Sequence, residues 1–196
     1  MEPVKALLVV DVQNDFRPGG ALPVPDADAV VPALNGYARW FADAGLPVFA
    51  SRDWHPPYSS HFASEGGHWP HHCIQNTEGA RFHPDLRLPA GTVVISKGMD
   101  PRRDSYSVFQ AVDEDRQDFT TIIKCGGIRD LYVGGLATEY CIKCTVLEAL
   151  DMGLAVHLLI DAIRGIAPAT SSEAIAQMIG HGAIRTVFED LPAQVR

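Results

Sequence analysis

Basic residues are few in this sequence, and they are scattered. The 196 residues include 16 Lys and Arg against 24 Asp and Glu, which gives a formal net charge of −8 at pH 7. The only adjacent basic pair is Arg102-Arg103. Because nucleic acids and anionic membranes are bound by clustered Lys and Arg, this pattern argues against either as the main partner.

Long apolar runs are also missing. A membrane-spanning helix needs about 20 mostly apolar residues, and no stretch of this sequence approaches that length. The apolar start at residues 4–10 is too short for a signal peptide, lacks a small-residue cleavage pattern and runs directly into Asp11. We therefore predict that it is a buried first strand and that the protein is cytoplasmic.

Cysteine is sparse, with residues Cys73, Cys125, Cys141 and Cys144. In a cytosolic protein of this size, such cysteines are expected to be reduced rather than paired in a disulfide framework. Cys141 and Cys144 form a C-x-x-C, so a thiol-redox centre or a structural zinc site is an alternative to catalysis. The motif contains no proline and no second C-x-x-C accompanies it, which disfavours both alternatives. We expect Cys144 to be a core residue.

Internal repeats, linkers and low-complexity segments are absent too, which indicates one domain over residues 1–196. Apolar runs alternate with segments of helical period. The predicted strands cover 4–10, 46–51, 92–96, 131–135, 154–160 and 184–188, and the predicted helices include 28–44, 139–152 and 171–182. This alternation predicts an α/β fold, with a doubly wound, mostly parallel sheet of about six strands and helices on both faces.

A long segment over about residues 53–91 interrupts the alternation. It is rich in Pro, Gly, His and Ser, and five of the eight histidines lie between His55 and His72. Loops of this length inside compact domains are usually functional. Asp53 and His55 lie on one side of an extended chain, and His61 and His72 follow. One carboxylate with two or three imidazoles suits zinc, iron or manganese, so we predict a metal-binding loop.

Polar side chains follow the carboxyl ends of the first four predicted strands. Asp11 follows the first strand, Asp53 the second, Lys97 ends the third, and Cys141 opens a helix after the fourth. Ligands of open α/β sheets bind in the crevice outside these strand ends. The sequence therefore predicts an active site that combines an acid, a lysine, a thiol and a metal cluster.

Cys141 is the predicted nucleophile. It lies in GGLATEYCIKC, where a strand turns into a helix that Thr138 could cap. The free N–H groups and partial positive charge of a first helical turn lower a thiol pKa and can bind an oxyanion. A buried structural cysteine is the alternative, but the acid and the lysine predicted beside Cys141 favour catalysis.

Five segments resemble the nicotinamidase branch of the isochorismatase-like cysteine hydrolases. They are LLVVDVQNDFRPGGAL, SRDWHPPYSSHF, HWPHHCIQNTEGARFHP, ISKGMDPRRDSYSVF and DLYVGGLATEYCIKCTVLEAL. They occur in the order found in the family and span roughly three quarters of the chain. The resemblance implies a single isochorismatase-like hydrolase domain with a Rossmann-like three-layer fold.

The resemblance also assigns residues to roles. It implies a catalytic triad and a set of metal ligands, with zinc as the first expectation and iron or manganese as alternatives. The implied triad is Asp11, Lys97 and Cys141, and the implied ligands are Asp53, His55 and His72. His61 matches a position that some members use as a further ligand.

The implied substrate pocket has aromatic walls at Phe16 and Trp69 and a tyrosine at Tyr106, with Leu136 as a further member. The peptide bond between Leu136 and Ala137 is expected to be cis.

This peptide would aim the backbone N–H groups of Ala137 and Cys141 into one oxyanion hole. The sequence departs from the family at Glu139, where an aspartate is more usual, and in the CGGIRD link at residues 125–130.

The reaction that the resemblance implies is hydrolysis of nicotinamide to nicotinate and ammonia through a cysteine thioester, in NAD salvage. Pyrazinamide is a second expected substrate, and homo-oligomers are common in the family. The alternative is another amidase of the superfamily that acts on a carbamoyl or ureido substrate and has no evident use for the metal ligands. A non-catalytic metal or thiol-redox module is the third hypothesis.

Overall fold

The computed structural model describes residues 4–192, which form one six-stranded sheet flanked by four α-helices. The strands are β1 Val4–Val10, β2 Val48–Asp53, β3 Val93–Lys97, β4 Ile128–Leu136, β5 Ala155–Arg164 and β6 Ile184–Thr186. The helices are α1 Val30–Asp43, α2 Phe119–Cys125, α3 Lys143–Asp151 and α4 Pro168–Gly180. None of the helices in this range is long and apolar enough to cross a membrane.

The strand order is β3-β2-β1-β4-β5-β6, and every neighbouring pair is parallel. The chain therefore moves outward from β1 to β3 and then crosses back to place β4 on the other side of β1. The direction of winding reverses between β1 and β4. The predicted α/β fold with a doubly wound parallel sheet is therefore confirmed. In such sheets, ligands bind outside the carboxyl ends of the strands at the switch point.

The central strand β1 is buried on both faces. Successive side chains of a strand point to opposite faces, and Leu7 packs in a cluster with Leu34 and Phe41 of α1. Leu8 lies in the cluster on the other face, whose members from the remaining helices include Ile123, Val146 and Met178. Three layers result, and burial on both faces explains the uninterrupted apolar run of β1.

Several boundaries differ from the sequence-based prediction. The strand predicted at 131–135 begins at Ile128, because Gly127, with φ of +63°, turns the chain directly from α2 into β4. The helix predicted at 171–182 begins at Pro168, since proline is well tolerated in the first helical turn. The last strand ends at Thr186 instead of 188.

The helix predicted at 139–152 starts as a π-helical turn, Thr138–Ile142, and continues as α3. The capping residue is Ala137, and within the described chain Thr138 provides no side-chain cap for this turn. Cys144 is half-buried rather than a full member of the core, and all four cysteines carry free thiols. The loop between β2 and β3 has little regular structure apart from a short turn at Ala63–Glu65.

Candidate active site

Four strand ends bring four polar side chains together at the switch point. Asp11 follows β1, Asp53 ends β2, Lys97 ends β3, and Cys141 lies in the turn after β4. All four residues are buried, with Asp11 completely inaccessible and Cys141 only 7% exposed. The sheet topology thus assembles the acid, lysine and thiol that the sequence predicted at this edge.

Lys97 is the centre of this group. Its Nζ lies 2.9 Å from Asp11 Oδ2 and 3.3 Å from Cys141 Sγ, and it also donates to Asp53 Oδ1. Burial alone would lower the pKa of Lys97, but the two carboxylates raise it well above its ordinary value. The side chain is therefore a fixed ammonium ion between two acids and a thiol.

Asp11 occupies a left-handed backbone conformation, with φ of +50°. Its Oδ1 accepts a hydrogen bond of 2.7 Å from the Ser51 hydroxyl, and Oδ2 faces Lys97. Burial raises the pKa of Asp11, and the Lys97 charge opposes that shift. A carboxylate with a raised pKa is a better proton acceptor, so Asp11 has the character that a general base requires.

Cys141 is the fourth residue of the helical segment that begins at Thr138. The Ala137 carbonyl accepts the N–H groups of Tyr140 at 3.1 Å and Ile142 at 3.3 Å, which closes a wide first turn. Burial and the nearby carboxylates hold the pKa of the Cys141 thiol well above its usual range, although Lys97 lowers it. The helix start was expected to lower this pKa. Burial and the carboxylates act in the opposite direction, so formation of the thiolate is favoured by a proton acceptor beside the thiol.

The peptide bond between Leu136 and Ala137 is cis, as the resemblance implied. Leu136 is 1% exposed and its side chain packs in the core beside α1. Ala137 faces the cavity next to Cys141 instead. Leu136 was expected to line the substrate pocket, but in this structure its neighbour Ala137 lines the cavity.

Three histidines form a buried cluster beside the acid and thiol. One ring nitrogen of each of His55, His61 and His72 lies within 4.8 Å of the other two. His55 and His61 stack, with ring centroids 4.6 Å apart. His61, which the family resemblance implied only as an optional ligand, is therefore a full member of this cluster.

The other ring nitrogen of each histidine is already occupied. Nδ1 of His55 lies 3.1 Å from the Gly98 carbonyl oxygen, and Nδ1 of His72 lies 2.8 Å from that of Pro70. Because a carbonyl oxygen only accepts, these Nδ1 atoms carry the proton and leave each Nε2 with a lone pair. Nδ1 of His61 lies 2.5 Å from Asp104 Oδ1. Partners of this kind orient metal-binding histidines.

The cluster fits a transition metal. His55 Nε2 is buried, has no hydrogen-bond partner among the described residues, and lies 3.8 Å from Asp53 Oδ1. Burial lowers the pKa of His55 to about 4 and also lowers the pKa of His72. Neutral imidazoles with a buried, unsatisfied nitrogen and an adjacent carboxylate are the donor set that zinc and its neighbours prefer.

A cavity that opens to solvent lies against Cys141 and the histidine cluster, and its space, with the solvent at its mouth, is about 420 Å³. Its aromatic lining residues are Phe16, Trp69, Tyr106 and Tyr140. Trp69 Nε1 donates to the Tyr106 hydroxyl at 2.9 Å, and the Trp69 and Tyr140 rings meet edge to face at 5.0 Å. Flat apolar walls with a few polar groups at one end suit a small planar ligand.

The sequence matches the profile of the isochorismatase domain over residues 5–189. The chain belongs to the isochorismatase family. The chain is also similar to a nicotinamidase of Escherichia coli (strain K12). The two sequences are 42% identical over 208 aligned residues, which cover 96% of this chain and 97% of that relative.

Solved structures agree with this assignment to the isochorismatase family. The pyrazinamidase of Pyrococcus horikoshii in complex with zinc superposes with a TM-score of 0.89 at 43% identity, covering 95% of this chain and all of that one. PnC1 from L. infantum in complex with nicotinate has a TM-score of 0.87 at 29% identity, covering 99% of this chain and 98% of that one.

Some residues of this isochorismatase-family site were missed from the sequence. Ser51, which bonds to Asp11, is a polar residue inside a buried strand, and this position in the sequence could have indicated its role. Tyr140 precedes the predicted nucleophile directly and could have been inferred from that position. Asp104 and Ile166, the latter also lining the cavity, carried no pattern that distinguishes them from ordinary loop residues.

Proposed function

We propose that this protein is a metal-dependent nicotinamidase, which hydrolyses nicotinamide to nicotinate and ammonia. The observation that carries the proposal is one cavity bordered by both a buried acid–lysine–thiol group and a cluster of histidine nitrogens. An amidase acting on a carbamoyl or ureido substrate would need only the first. Relatives and neighbours named as nicotinamidases and pyrazinamidases, one with zinc and one with nicotinate, support the pyridine amide.

The metal site in this proposal consists of Asp53, His55, His61 and His72. Zinc is the expected ion because it suits these donors and is present in the similar pyrazinamidase; iron and manganese are alternatives. When bound, the ion supplies a Lewis-acid site for the ring nitrogen of the substrate. The aromatic side chains of Phe16 and Trp69 hold the ring in the cavity.

The first chemical step belongs to Asp11 and Cys141. Asp11 accepts the thiol proton as Cys141 Sγ bonds to the amide carbon, and Lys97 stabilises the negative charge that they share. The carbonyl oxygen becomes an oxyanion and is held by the backbone N–H groups of Ala137 and Cys141. Donors of this kind contribute about 2.7–4 kcal/mol each where they have been measured.

The second step releases both products. Asp11 returns its proton to the leaving nitrogen, the C–N bond breaks, and ammonia departs from a thioester on Cys141. Asp11 then accepts a proton from water, whose oxygen attacks the thioester carbon. Nicotinate leaves as the C–S bond breaks, and the thiol regains its proton.

The proposal extends to the setting of the reaction. We infer a single hydrolase domain for the sequence 1–196, with the segment at about 53–91 as its metal-binding loop. Nicotinate release in the cytoplasm would serve NAD salvage, and pyrazinamide is the second substrate to test. A homo-oligomer is part of the same expectation.

The decisive experiment measures ammonia release from nicotinamide by purified protein, before and after chelation and with zinc, iron or manganese restored. Activity that disappears with the metal and returns with it supports the proposal. No release with any of the metals, from folded protein that hydrolyses a ureido substrate, would instead support the alternative amidase.

A matched pair of variants tests the nucleophile. Cys141→Ala should abolish turnover and still bind nicotinate, whereas Cys125→Ala, which removes an exposed thiol, should keep full activity. Steady-state hydrolysis by the Cys141 variant would exclude the thioester mechanism.

A further inference from the structure

The turn that carries the nucleophile also carries a buried carboxylate that the proposed reaction does not use. Glu139 lies two residues before Cys141 and is 8% exposed. Its two oxygens accept four hydrogen bonds, two from the link between β5 and α4 and two from the first turn of α4. Oε1 accepts from Ile166 N at 3.0 Å, Ala167 N at 3.1 Å and Thr170 Oγ1 at 3.0 Å, and Oε2 accepts from Ser171 Oγ at 3.3 Å.

These bonds occupy the start of α4. The capping residue of that helix is Ala167, which has no side-chain oxygen to offer to the amides of the first turn. Glu139, from a distant part of the chain, accepts the N–H groups of Ile166 and Ala167 directly before the helix, and its negative charge also suits the positive end of the helix dipole.

Gly165 makes room for this arrangement. A Cβ added there would collide with Glu139 Oε2 and Ser171 Oγ. The chain therefore combines an acid of the required length with a residue lacking a side chain directly opposite. Both features serve the same set of hydrogen bonds.

The two ends of this connection are parts of the active site. Cys141 shares its helical turn with Glu139, and Ile166 lines the cavity. We propose that Glu139 is a positioning residue, which fixes the nucleophile turn relative to the cavity wall at Ile166. The substrate part of this inference rests on the proposed nicotinamidase function, and the structural part does not.

A role limited to capping α4 makes different predictions. A cap would protect the amides at 165–171 and would leave the nucleophile turn unchanged. A positioning residue should affect both segments and the chemical step. Kinetics and hydrogen exchange together therefore separate the two roles.

The test compares Glu139→Ala, Glu139→Gln and Thr170→Val with Glu173→Gln, which changes an exposed acid on the same helix. Glutamine keeps the length and an acceptor oxygen, so it should retain most of the activity. Alanine should lower kcat by about 10²-fold, the loss associated with a nucleophile misplaced by about 1 Å. Valine removes one donor from an exposed position and should give a smaller loss in the same direction.

The second readout is amide hydrogen exchange of zinc-loaded protein, followed in peptides that cover 137–142 and 165–171. Faster exchange in both segments of Glu139→Ala, restored by glutamine, is the expected result. Faster exchange confined to 165–171, with kcat unchanged, would overturn the proposal. If the alanine variant does not fold, Thr170→Val decides between the same two outcomes. Wild-type protein without nicotinamide turnover would count against the proposed function, while the exchange comparison would still test Glu139.

Discussion

Gly98 permits the position of His55 in the histidine cluster. It follows β3, has φ of +70°, and accepts a hydrogen bond from His55 Nδ1 through its carbonyl oxygen. A Cβ at this position would lie 2.6 Å from Nδ1 and closer still to Cε1. Ordinary van der Waals contact begins near 3.4 Å, so Gly98→Ala must displace the imidazole by about 1 Å.

A displacement of that size matters for a metal ligand. Nitrogen donors bind zinc at about 2.0–2.1 Å, and the bond is sensitive to the direction of the ring. The loss of an orienting partner of a ligand typically lowers metal affinity by about 10–100-fold. We expect Gly98→Ala to lie in this range, because it moves both the ring and the carbonyl that orients it.

Gly91→Ala provides the matched control. Gly91 has φ of +85° and a Cβ there would meet nothing within 4 Å. Both variants place alanine in a left-handed conformation and should lose about 1–2 kcal/mol of stability. Only Gly98→Ala should lose zinc affinity, measured by competition with a chromophoric chelator. Equal zinc affinity in the two variants would refute the reasoning.

Three further outcomes are expected. Asp104→Asn should weaken zinc binding by about 10-fold or more, because His61 loses a charged partner. The control is Asp100→Asn, which changes a partly buried acid that pairs with Arg102 instead of with a histidine, and equal affinities would contradict the prediction. Burial lowers the pKa of His157, so the wild type should lose stability as the pH falls below about 6.5, since the unfolded chain then binds more protons. His157→Phe should flatten that dependence in urea titrations from pH 7.5 to 5.5, and an unchanged slope would count against it. Lys97→Met should lower the unfolding free energy of the metal-free protein by about 3–5 kcal/mol at neutral pH, because two buried carboxylates lose their cation. A decrease below about 1 kcal/mol, measured by urea denaturation, would contradict this prediction.

The parts of the site that could be predicted are those fixed by strand ends. Asp11 and Lys97 follow apolar runs, and parallel strands bring their carboxyl ends to one edge whatever the details of packing. The order of the strands adds Cys141 to the same place. The sequence pattern was sufficient for these residues because a residue that directly follows a parallel strand lies at the carboxyl edge of the sheet.

Features that depend on distances could not be predicted in the same way. The thiol pKa of Cys141 was expected to fall at a helix start, but burial and two carboxylates raise it. Leu136 was expected to contact the substrate, but its side chain belongs to the core. The role of Asp104 depends on a contact with a residue 43 positions away. Each of these features depends on distances between side chains, which the spacing of residues in the sequence does not determine.

The strand that supplies Lys97 lies at the edge of the sheet. On the side of β3 that faces away from β2, Ser96 exchanges two backbone hydrogen bonds with Val112, of 2.8 and 3.1 Å. This short bridge covers part of the edge. Edge elements with few partners open at a lower free-energy cost than the centre of a sheet. Local opening of β3 would move the Lys97 ammonium group out of the active site while the other five strands stay paired. Activity should therefore disappear at a lower urea concentration than the circular dichroism of the helices, and the limit on the working life of the enzyme would be set by one short strand.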